Sequence, residues 1–301
     1  MSATLTEQAH ASAQGFDTLP AEDALTILAR GQVEAARVVE AAVPSIAAAA
    51  QLAADSLSVG GKLIYAAAGS SGLMALADAL EIPGTYGIAP DRIRMVLAGG
   101  ASMLEHLQGG PEDDEAAARA DLLREAIGPK DCVIAVTASG STPYALAAVN
   151  TARAAGAKTV GISNNRGAAL FGHVDVAICL PTPPEVIAGS TRMGAGTAQK
   201  IALNMLSTMM AMQLGHVHDG YMVNVVTDNI KLLERARGMV MAIAGVNADK
   251  ARAALDLAGG NAKVGVLIAS GVPSKEQAEA LLARYGGRLR AALTSLRTTE
   301  N

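Results

Sequence analysis

Short apolar runs, each closed by turn residues, alternate along the chain with longer segments whose apolar residues recur at helical spacing. The runs lie at residues 62–68, 93–98, 131–138, 158–163 and 174–180. Continuous apolar runs of this length are typical of strands that are buried on both faces of a parallel sheet. The pattern therefore predicts five buried strands.

Helix-length segments separate most of these runs, which favours an α/β fold with a doubly wound, five-stranded parallel sheet. Helical spacing also covers residues 21–58, where Pro44 should start a second helix, and residues 189–215. After residue 221 the chain is typical of a small helical bundle. We divide it into N-terminal helices (1–55), a sheet domain (56–220) and a C-terminal helical subdomain (221–301).

Composition excludes several classes of protein. Half of the 301 residues are hydrophobic and 17% are charged, so the chain has the apolar material that disordered proteins lack. It contains two Phe, five Tyr and no Trp, which disfavours nucleic-acid binding by stacked aromatic side chains. A net charge of −4 argues against binding to a phosphate backbone, and we expect no nucleic-acid partner.

The ends and cysteines of the chain suggest a compartment. The polar N-terminus lacks the apolar stretch of a signal peptide, and we find no run of about 18 apolar residues that would mark a membrane helix. Cys132 and Cys179 fall within predicted strands, where buried, inert thiols suit a reducing environment. We therefore expect a cytoplasmic protein with no membrane contact.

Two hydroxyl-rich loops follow the first and third predicted strands, Gly69-Ser-Ser-Gly72 and Ser139-Gly-Ser-Thr142. Ligands of open parallel sheets bind beyond the carboxyl ends of the strands. Each loop precedes a predicted helix and offers free N–H groups, a helix dipole and hydroxyl donors, which suit a phosphate. The alternative for one loop alone is a plain N-cap, but two such loops favour phosphate binding. The candidate binding residues are Ser70, Ser71, Ser139, Ser141 and Thr142.

No cofactor is indicated by these loops. Neither is a Walker A loop or a dinucleotide-binding G-x-G-x-x-G, so the expected ligand is a small phosphorylated metabolite. His216-Val-His218-Asp219 has metal-ligand residue types, but it closes a helix and no further ligands accompany it. A structural role is favoured there, and we expect no metal.

A longer motif is more specific: Gly189-Ser-Thr-Arg-Met-Gly-Ala-Gly-Thr-Ala-Gln-Lys200, continuing into Leu203-Asn-Met-Leu-Ser-Thr208. Supporting segments are Thr6-Glu-Gln8, Asp17-Thr-Leu19, Ala138-Ser-Gly-Ser-Thr-Pro-Tyr144 and Gly161-Ile-Ser163. From about residue 6 to the C-terminus, the chain resembles the N-acetylmuramic acid 6-phosphate etherase family, which is built on the SIS (sugar-isomerase) phosphosugar-binding domain.

The resemblance implies a carbon–oxygen lyase that needs no cofactor. It would cleave the D-lactyl ether of N-acetylmuramic acid 6-phosphate by β-elimination and hydration, giving N-acetylglucosamine 6-phosphate and D-lactate. Two carboxyl groups with separated pKa values suit this chemistry. By resemblance, Glu81 protonates the departing lactate and Glu112 removes the C2 proton. SIS domains typically dimerise, so a homodimer is implied. Related proteins suggest that Glu185 binds sugar hydroxyls; a solvated side chain is the alternative.

The residues themselves leave alternatives open. Glu81 ends an apolar helix before Ile82-Pro83, so we expect it to be desolvated, whereas a surface glutamate is the simpler interpretation. The acidic segment around Glu112 is typical of a solvated helix start. The family usually has arginine where this chain has Leu73 and Ser141. Two other functions therefore stay open: a phosphosugar isomerase and a non-catalytic sensor of sugar phosphates.

Overall fold

Five parallel strands form the sheet on which the rest of the first part of the chain is built. The computed structural model describes residues 5–299. The strands are β1 (Leu63–Ala67), β2 (Ile93–Leu97), β3 (Cys132–Thr137), β4 (Lys158–Ser163) and β5 (Val176–Cys179). Their spatial order is β2-β1-β3-β4-β5, with every neighbouring pair parallel. The predicted five-stranded parallel sheet is confirmed.

Helices cover the sheet and connect its strands. They are α1 (Ala21–Arg37), α2 (Val43–Ser58), α3 (Gly69–Tyr86), α4 (Glu115–Arg124), α5 (Pro143–Ala154) and α6 (Gly194–Gln213). Small side chains allow them to approach the sheet closely: Ala49, Ala50 and Ala53 of α2 are fully buried. Pro44 lies in the first turn of α2, where its missing N–H costs no helical hydrogen bond.

By length and mean hydropathy alone, the helical stretch 21–58 could cross a membrane. The sequence predicts no uninterrupted apolar run of that length. In the structure a short 3-10 turn at Val38–Ala42 interrupts it, and α2 contacts β1, β3, β4 and β5. A core helix that packs on a sheet is apolar for the same reason as a membrane helix, so the composition of this stretch follows from its burial.

Helix α3 is longer than predicted at both ends. We expected a loop at residues 69–72 and a helix over 73–81, but the helix begins at Gly69 and ends at Tyr86. It passes through Pro83, although a proline disfavours helical backbone in the residue before it. Ile82 is 1% exposed, and the burial of this side chain favours the helix where local propensity does not.

A buried carboxylate joins three elements around the sheet. The two side-chain oxygens of Asp78 on α3 accept hydrogen bonds from Tyr65 Oη of β1 (2.7 Å), and from Asn204 Nδ2 (2.7 Å) and Ser207 Oγ (2.9 Å) of α6. Burial and the neighbouring Asp78 charge raise the pKa of Tyr65 well above its ordinary value, so Tyr65 stays a donor. The carboxylate is therefore satisfied by three donors.

The chain divides into two compact units. Residues 5–80 and 90–209 form the first, and residues 81–89 and 210–299 form the second. The helices that begin in the second unit are α7 (Ile230–Ala244), α8 (Ala248–Leu257), α9 (Ala262–Ala269), α10 (Lys275–Arg284) and α11 (Leu289–Thr299). The predicted C-terminal helical region is confirmed. The predicted boundaries at 55/56 and 220/221 differ from this division, and the three-part organisation stays a prediction.

Candidate active site

A polar cavity of about 180 Å³ lies at the carboxyl ends of β1 and β3, within the first unit. The structure brings five of the predicted site residues together there: Ser70, Ser71, Glu112, Ser139 and Thr142. The other lining residues are Thr6, Glu7, Ala68, Thr137, Ala138, Gly189 and Thr191. The cavity thus combines seven hydroxyl groups of Ser and Thr side chains, from four segments, with two carboxylates.

The first turn of α3 supplies one wall of this cavity. Ser70 and Ser71 are the second and third residues of the helix, so their N–H groups lack the carbonyl partners of a helix interior. The first backbone N–H of this turn that donates a hydrogen bond to a carbonyl four residues earlier is that of Gly72, which lies 2.9 Å from Ala68 O. The cavity is therefore lined here by free N–H groups, two hydroxyls and the positive end of the helix dipole. This combination favours the binding of an anion.

The segment after β3 supplies a second hydroxyl cluster. Thr137 Oγ1 lies 2.7 Å from Thr142 Oγ1 and 3.3 Å from Ser139 Oγ. Thr142 is the N-cap residue of α5, yet its side chain makes no capping hydrogen bond. The hydroxyls are therefore bonded to one another rather than to the helix end, which argues against the plain N-cap interpretation of this loop.

Close packing fixes the shape of this second loop. Gly140 has φ +77°, and a Cβ placed there would lie 2.2 Å from Ala168 Cβ. Asn165 Nδ2 donates to the carbonyls of Ala138 (2.9 Å) and Ser139 (3.3 Å). Ser141, also a predicted site residue, is exposed and is not among the residues that line the cavity. Its N–H and its hydroxyl each donate to Ser139 Oγ at 3.2 Å. Its contact with a ligand stays a prediction.

Glu112 lies against the start of α3. It is the third residue of a 3-10 turn at Gly110–Asp113. The turn is followed by Asp114, whose side chain caps α4 by accepting from Ala117 N (2.8 Å). A Cβ added to Gly69 would fall 2.4 Å from Glu112 Oε1, so only glycine lets the carboxylate approach there. Burial, and then the charge of Asp113, raise the pKa of Glu112 above its usual range. The glutamate is therefore half-buried and more basic than usual.

Glu81 does not show the burial that we expected. Its side chain is exposed, whereas the next residue, Ile82, is buried. Successive helical residues point about 100° apart, so a helix that buries Ile82 leaves Glu81 on a different side. Glu81 belongs to the second unit and is not among the residues that line the cavity; its catalytic role stays a prediction.

Glu185 has partners within the protein. It is 5% exposed, and its two carboxylate oxygens accept the N–H groups of Gly194 (2.9 Å) and Ala195 (2.8 Å) at the start of α6. It is not among the described residues that line the cavity. The position after β5 suggested a ligand contact, but the free N–H groups of α6 compete for the same carboxylate. Its sugar-binding role stays a prediction.

Three polar lining residues that lie outside the two hydroxyl-rich segments are not singled out as site residues by the sequence. Thr6 and Glu7 come from a 3-10 turn at Leu5–Glu7, and Thr191 lies in the segment before α6. Thr6 is 2% exposed, and its hydroxyl accepts a hydrogen bond from Asn165 Nδ2 at 3.2 Å. Both segments lie within the motifs quoted for the resemblance, so the signal was present, but no local pattern distinguishes their side chains as ligand-binding.

The cavity walls carry no basic side chain among the residues described. At two positions, Leu73 and Ser141, the resemblance implies arginine, and neither residue is basic here. Arg192 and Lys200, the two basic residues of the long motif 189–200, are exposed and do not line the cavity either. Over residues 5–299, no group of three His, Cys, Asp or Glu side chains could hold a metal ion.

Comparison with protein families identifies the fold. A family model described as SIS domain matches residues 30–164. Among solved structures, a phosphoheptose isomerase from Francisella tularensis superposes with a TM-score of 0.51 at 19% identity, covering 64% of this chain and all of that one. At this identity the likeness concerns the fold alone.

Curated sequences give a narrower match. An N-acetylmuramic acid 6-phosphate etherase from Deinococcus radiodurans is 44% identical, over 96% of this chain and 94% of that protein. Proteins of the same name from Rubrobacter xylanophilus and Vibrio cholerae are 39% and 36% identical, each over 96% of this chain and over 95% and 96% of their own lengths. The match therefore extends over nearly the whole length of the chain.

Proposed function

The chain belongs to the N-acetylmuramic acid 6-phosphate etherase family, and we propose that it cleaves the D-lactyl ether of N-acetylmuramic acid 6-phosphate. The products would be N-acetylglucosamine 6-phosphate and D-lactate. The observation that carries the proposal is the position of Glu112, a half-buried and unusually basic carboxylate in the same cavity as two hydroxyl-bearing helix starts.

The two ends of the cavity suit the two ends of the substrate. The cluster of Thr137, Ser139 and Thr142 at the start of α5 offers neutral donors and a helix dipole, which suit the 6-phosphate. A dianionic phosphate is repelled by a carboxylate, so it should lie at that cluster rather than beside Glu112. This orientation leaves the C1–C3 end of the opened sugar for Glu112.

The reaction then needs one base and one acid. Glu112 takes the proton from C2, which is acidic because it neighbours the C1 aldehyde; the C2 electron pair forms the C2–C3 double bond, and the C3–O bond breaks. The departing lactyl oxygen takes a proton from an acid, the role that the resemblance in sequence motifs implies for Glu81. Water then adds across the double bond, with its hydroxyl at C3 and its proton at C2.

Lactate release tests the proposal directly. Purified protein incubated with N-acetylmuramic acid 6-phosphate should release D-lactate, measured with D-lactate dehydrogenase, and form N-acetylglucosamine 6-phosphate in equal amount. Glu81→Gln should abolish release if Glu81 is the acid, while Glu22→Gln, on an exposed part of α1, should not change it. Absence of lactate together with aldose–ketose interconversion of hexose phosphates would instead support an isomerase.

We also propose that the protein is a cytoplasmic homodimer. Large apolar side chains of the first unit are exposed in the single chain: Leu80 by 71%, Leu104 by 58% and Leu107 by 48%. Exposed apolar surface of this kind is favourable to bury between copies. Light scattering at micromolar concentration should give about twice the chain mass, and a monomer mass would contradict this part of the proposal.

A further inference from the structure

Glu7 is a second carboxylate in the cavity that the reaction described above does not use. It lies at the end of the short turn Leu5–Glu7 and lines the same space as Glu112 and Ser139. A Cβ added to Gly189 on the rim would lie 3.7 Å from Glu7 Oε2, so the carboxylate extends along that rim. This position is set by the fold rather than by the neighbours of Glu7 in sequence.

The segment that carries Glu7 is attached to the hydroxyl cluster. Asn165 is 5% exposed, and its Nδ2 donates both to Thr6 Oγ1 (3.2 Å) and to the carbonyl of Ala138 (2.9 Å). One buried amide therefore holds the residue before Glu7 and the loop of Ser139 together. Glu7 is consequently placed relative to the proposed phosphate-binding end, although its own side chain is exposed.

The Glu7 carboxylate has no hydrogen-bond or ion-pair partner within residues 5–299. Glu185, by comparison, uses both oxygens to bond the start of α6. A carboxylate without partners in a ligand-sized cavity can accept hydrogen bonds from hydroxyl groups, and such charge-assisted bonds are about twice as strong as neutral ones. It repels other anions, so it is suited neither to the phosphate nor to the lactyl carboxylate.

We propose that Glu7 is a substrate-contacting, specificity-determining residue that accepts hydrogen bonds from the sugar hydroxyls between the phosphate and the reacting carbons. This inference rests on the proposed function for the identity of the sugar. With the phosphate at Ser139 and C2 at Glu112, the hydroxyls at C4 and C5 are the remaining hydroxyl donors of the opened sugar.

Calorimetric titration separates this role from a structural one. The ligands are N-acetylglucosamine 6-phosphate and inorganic phosphate, and the proteins are the wild type, Glu7→Gln and the matched control Glu22→Gln. We expect Glu7→Gln to weaken sugar-phosphate binding about tenfold and to leave phosphate binding within about twofold. Glu22→Gln should change neither. Equal losses for both ligands, no loss for the sugar phosphate, or no sugar-phosphate binding by the wild type would each overturn the proposal.

Turnover gives a second and independent measurement. With N-acetylmuramic acid 6-phosphate, Glu7→Gln should raise KM about tenfold with kcat nearly unchanged, because a binding contact present throughout the reaction affects ground and transition states equally. A fall in kcat at unchanged KM would assign proton transfer to Glu7 and overturn the proposal. If the wild type binds the sugar phosphate but releases no lactate, the proposed function fails while the titration still decides the role of Glu7.

Discussion

Glu112 is the residue whose chemistry depends most on its surroundings. A base acts in its ionised form, and burial raises the pKa of Glu112 above its usual range. We therefore expect kcat/KM to fall as the pH drops through a pKa higher than that of an ordinary glutamate. Glu112→Gln should lower kcat by about 100-fold to 10,000-fold, measured by lactate release.

Asp113 provides the control for this pH profile. Its charge is the second cause of the raised pKa of Glu112, and its own side chain is exposed. Asp113→Asn should therefore move the acidic limb to lower pH while activity near neutral pH is kept. A limb that moves upward, or one that lies at the ordinary glutamate pKa in the wild type, would contradict the assignment of Glu112 as the base.

Sequence could identify site residues only where a strand end marked them. Ser70, Ser71, Ser139 and Thr142 follow β1 and β3, so strand periodicity alone placed them at one edge of the sheet. Glu112 needed the family match, because its segment is that of a solvated helix start. Glu7 is held at the cavity by the hydrogen bond from Asn165 Nδ2 to the Thr6 hydroxyl. These two residues are 159 positions apart, so no local sequence pattern predicts the contact.

At the scale of elements, Glu185 should stabilise the start of α6. Its carboxylate is buried and accepts two N–H groups of the first turn, which would otherwise lack partners. We expect Glu185→Ala to lower the free energy of unfolding by about 1–2 kcal/mol in urea denaturation. Exposed Glu22, replaced by Ala, is the control. A neutral effect of Glu185→Ala would show that the buried N–H groups find other partners.

The Asp78 network should couple β1, α3 and α6 energetically. Tyr65→Phe leaves one buried oxygen of Asp78 without its donor and should cost about 1–3 kcal/mol of stability. Because both residues belong to one network, the double variant with Asp78→Asn should cost less than the two single changes added together. Strict additivity in a double-mutant cycle by urea denaturation would contradict the coupling.

The strands were easier to predict than the ends of the helices. All five strands lie within the predicted runs, because burial on both faces demands apolar residues at successive positions. Helix α3 extends beyond its predicted ends because Gly69-Ser-Ser-Gly72 forms a helical turn instead of a loop, and because the buried Ile82 favours helix beside Pro83. The residues at which a helix begins and ends are therefore set by burial against the rest of the fold, and sequence periodicity does not predict that burial.

At the scale of the whole molecule, ligand binding should protect one unit selectively. The free N–H groups of Ser70 and Ser71 face the cavity, so N-acetylglucosamine 6-phosphate should slow their hydrogen exchange and that of the Ser139 loop. The core of helices α7–α11 contains none of the residues that line the cavity, so it serves as an internal reference. Equal protection of α7–α11 would indicate global stabilisation instead of a local site.

The absence of a basic side chain among the described residues that line the cavity has a consequence for ionic strength. Salt weakens attraction between charges beyond a Debye length of about 10 Å at 0.1 M, but it has little effect on short hydrogen bonds from neutral hydroxyls. We expect the Kd of the sugar phosphate to change less than about threefold between 50 mM and 500 mM NaCl.

The variant Leu73→Arg introduces the arginine that the family resemblance implies at this position. It should bind the sugar phosphate more tightly than the wild type at low salt and lose that advantage at high salt. A steep salt dependence in the wild type would require a cation from outside this cavity. Without one, the protein would select its charged substrate by the geometry of neutral donors, and its affinity would be largely independent of the electrolyte around it.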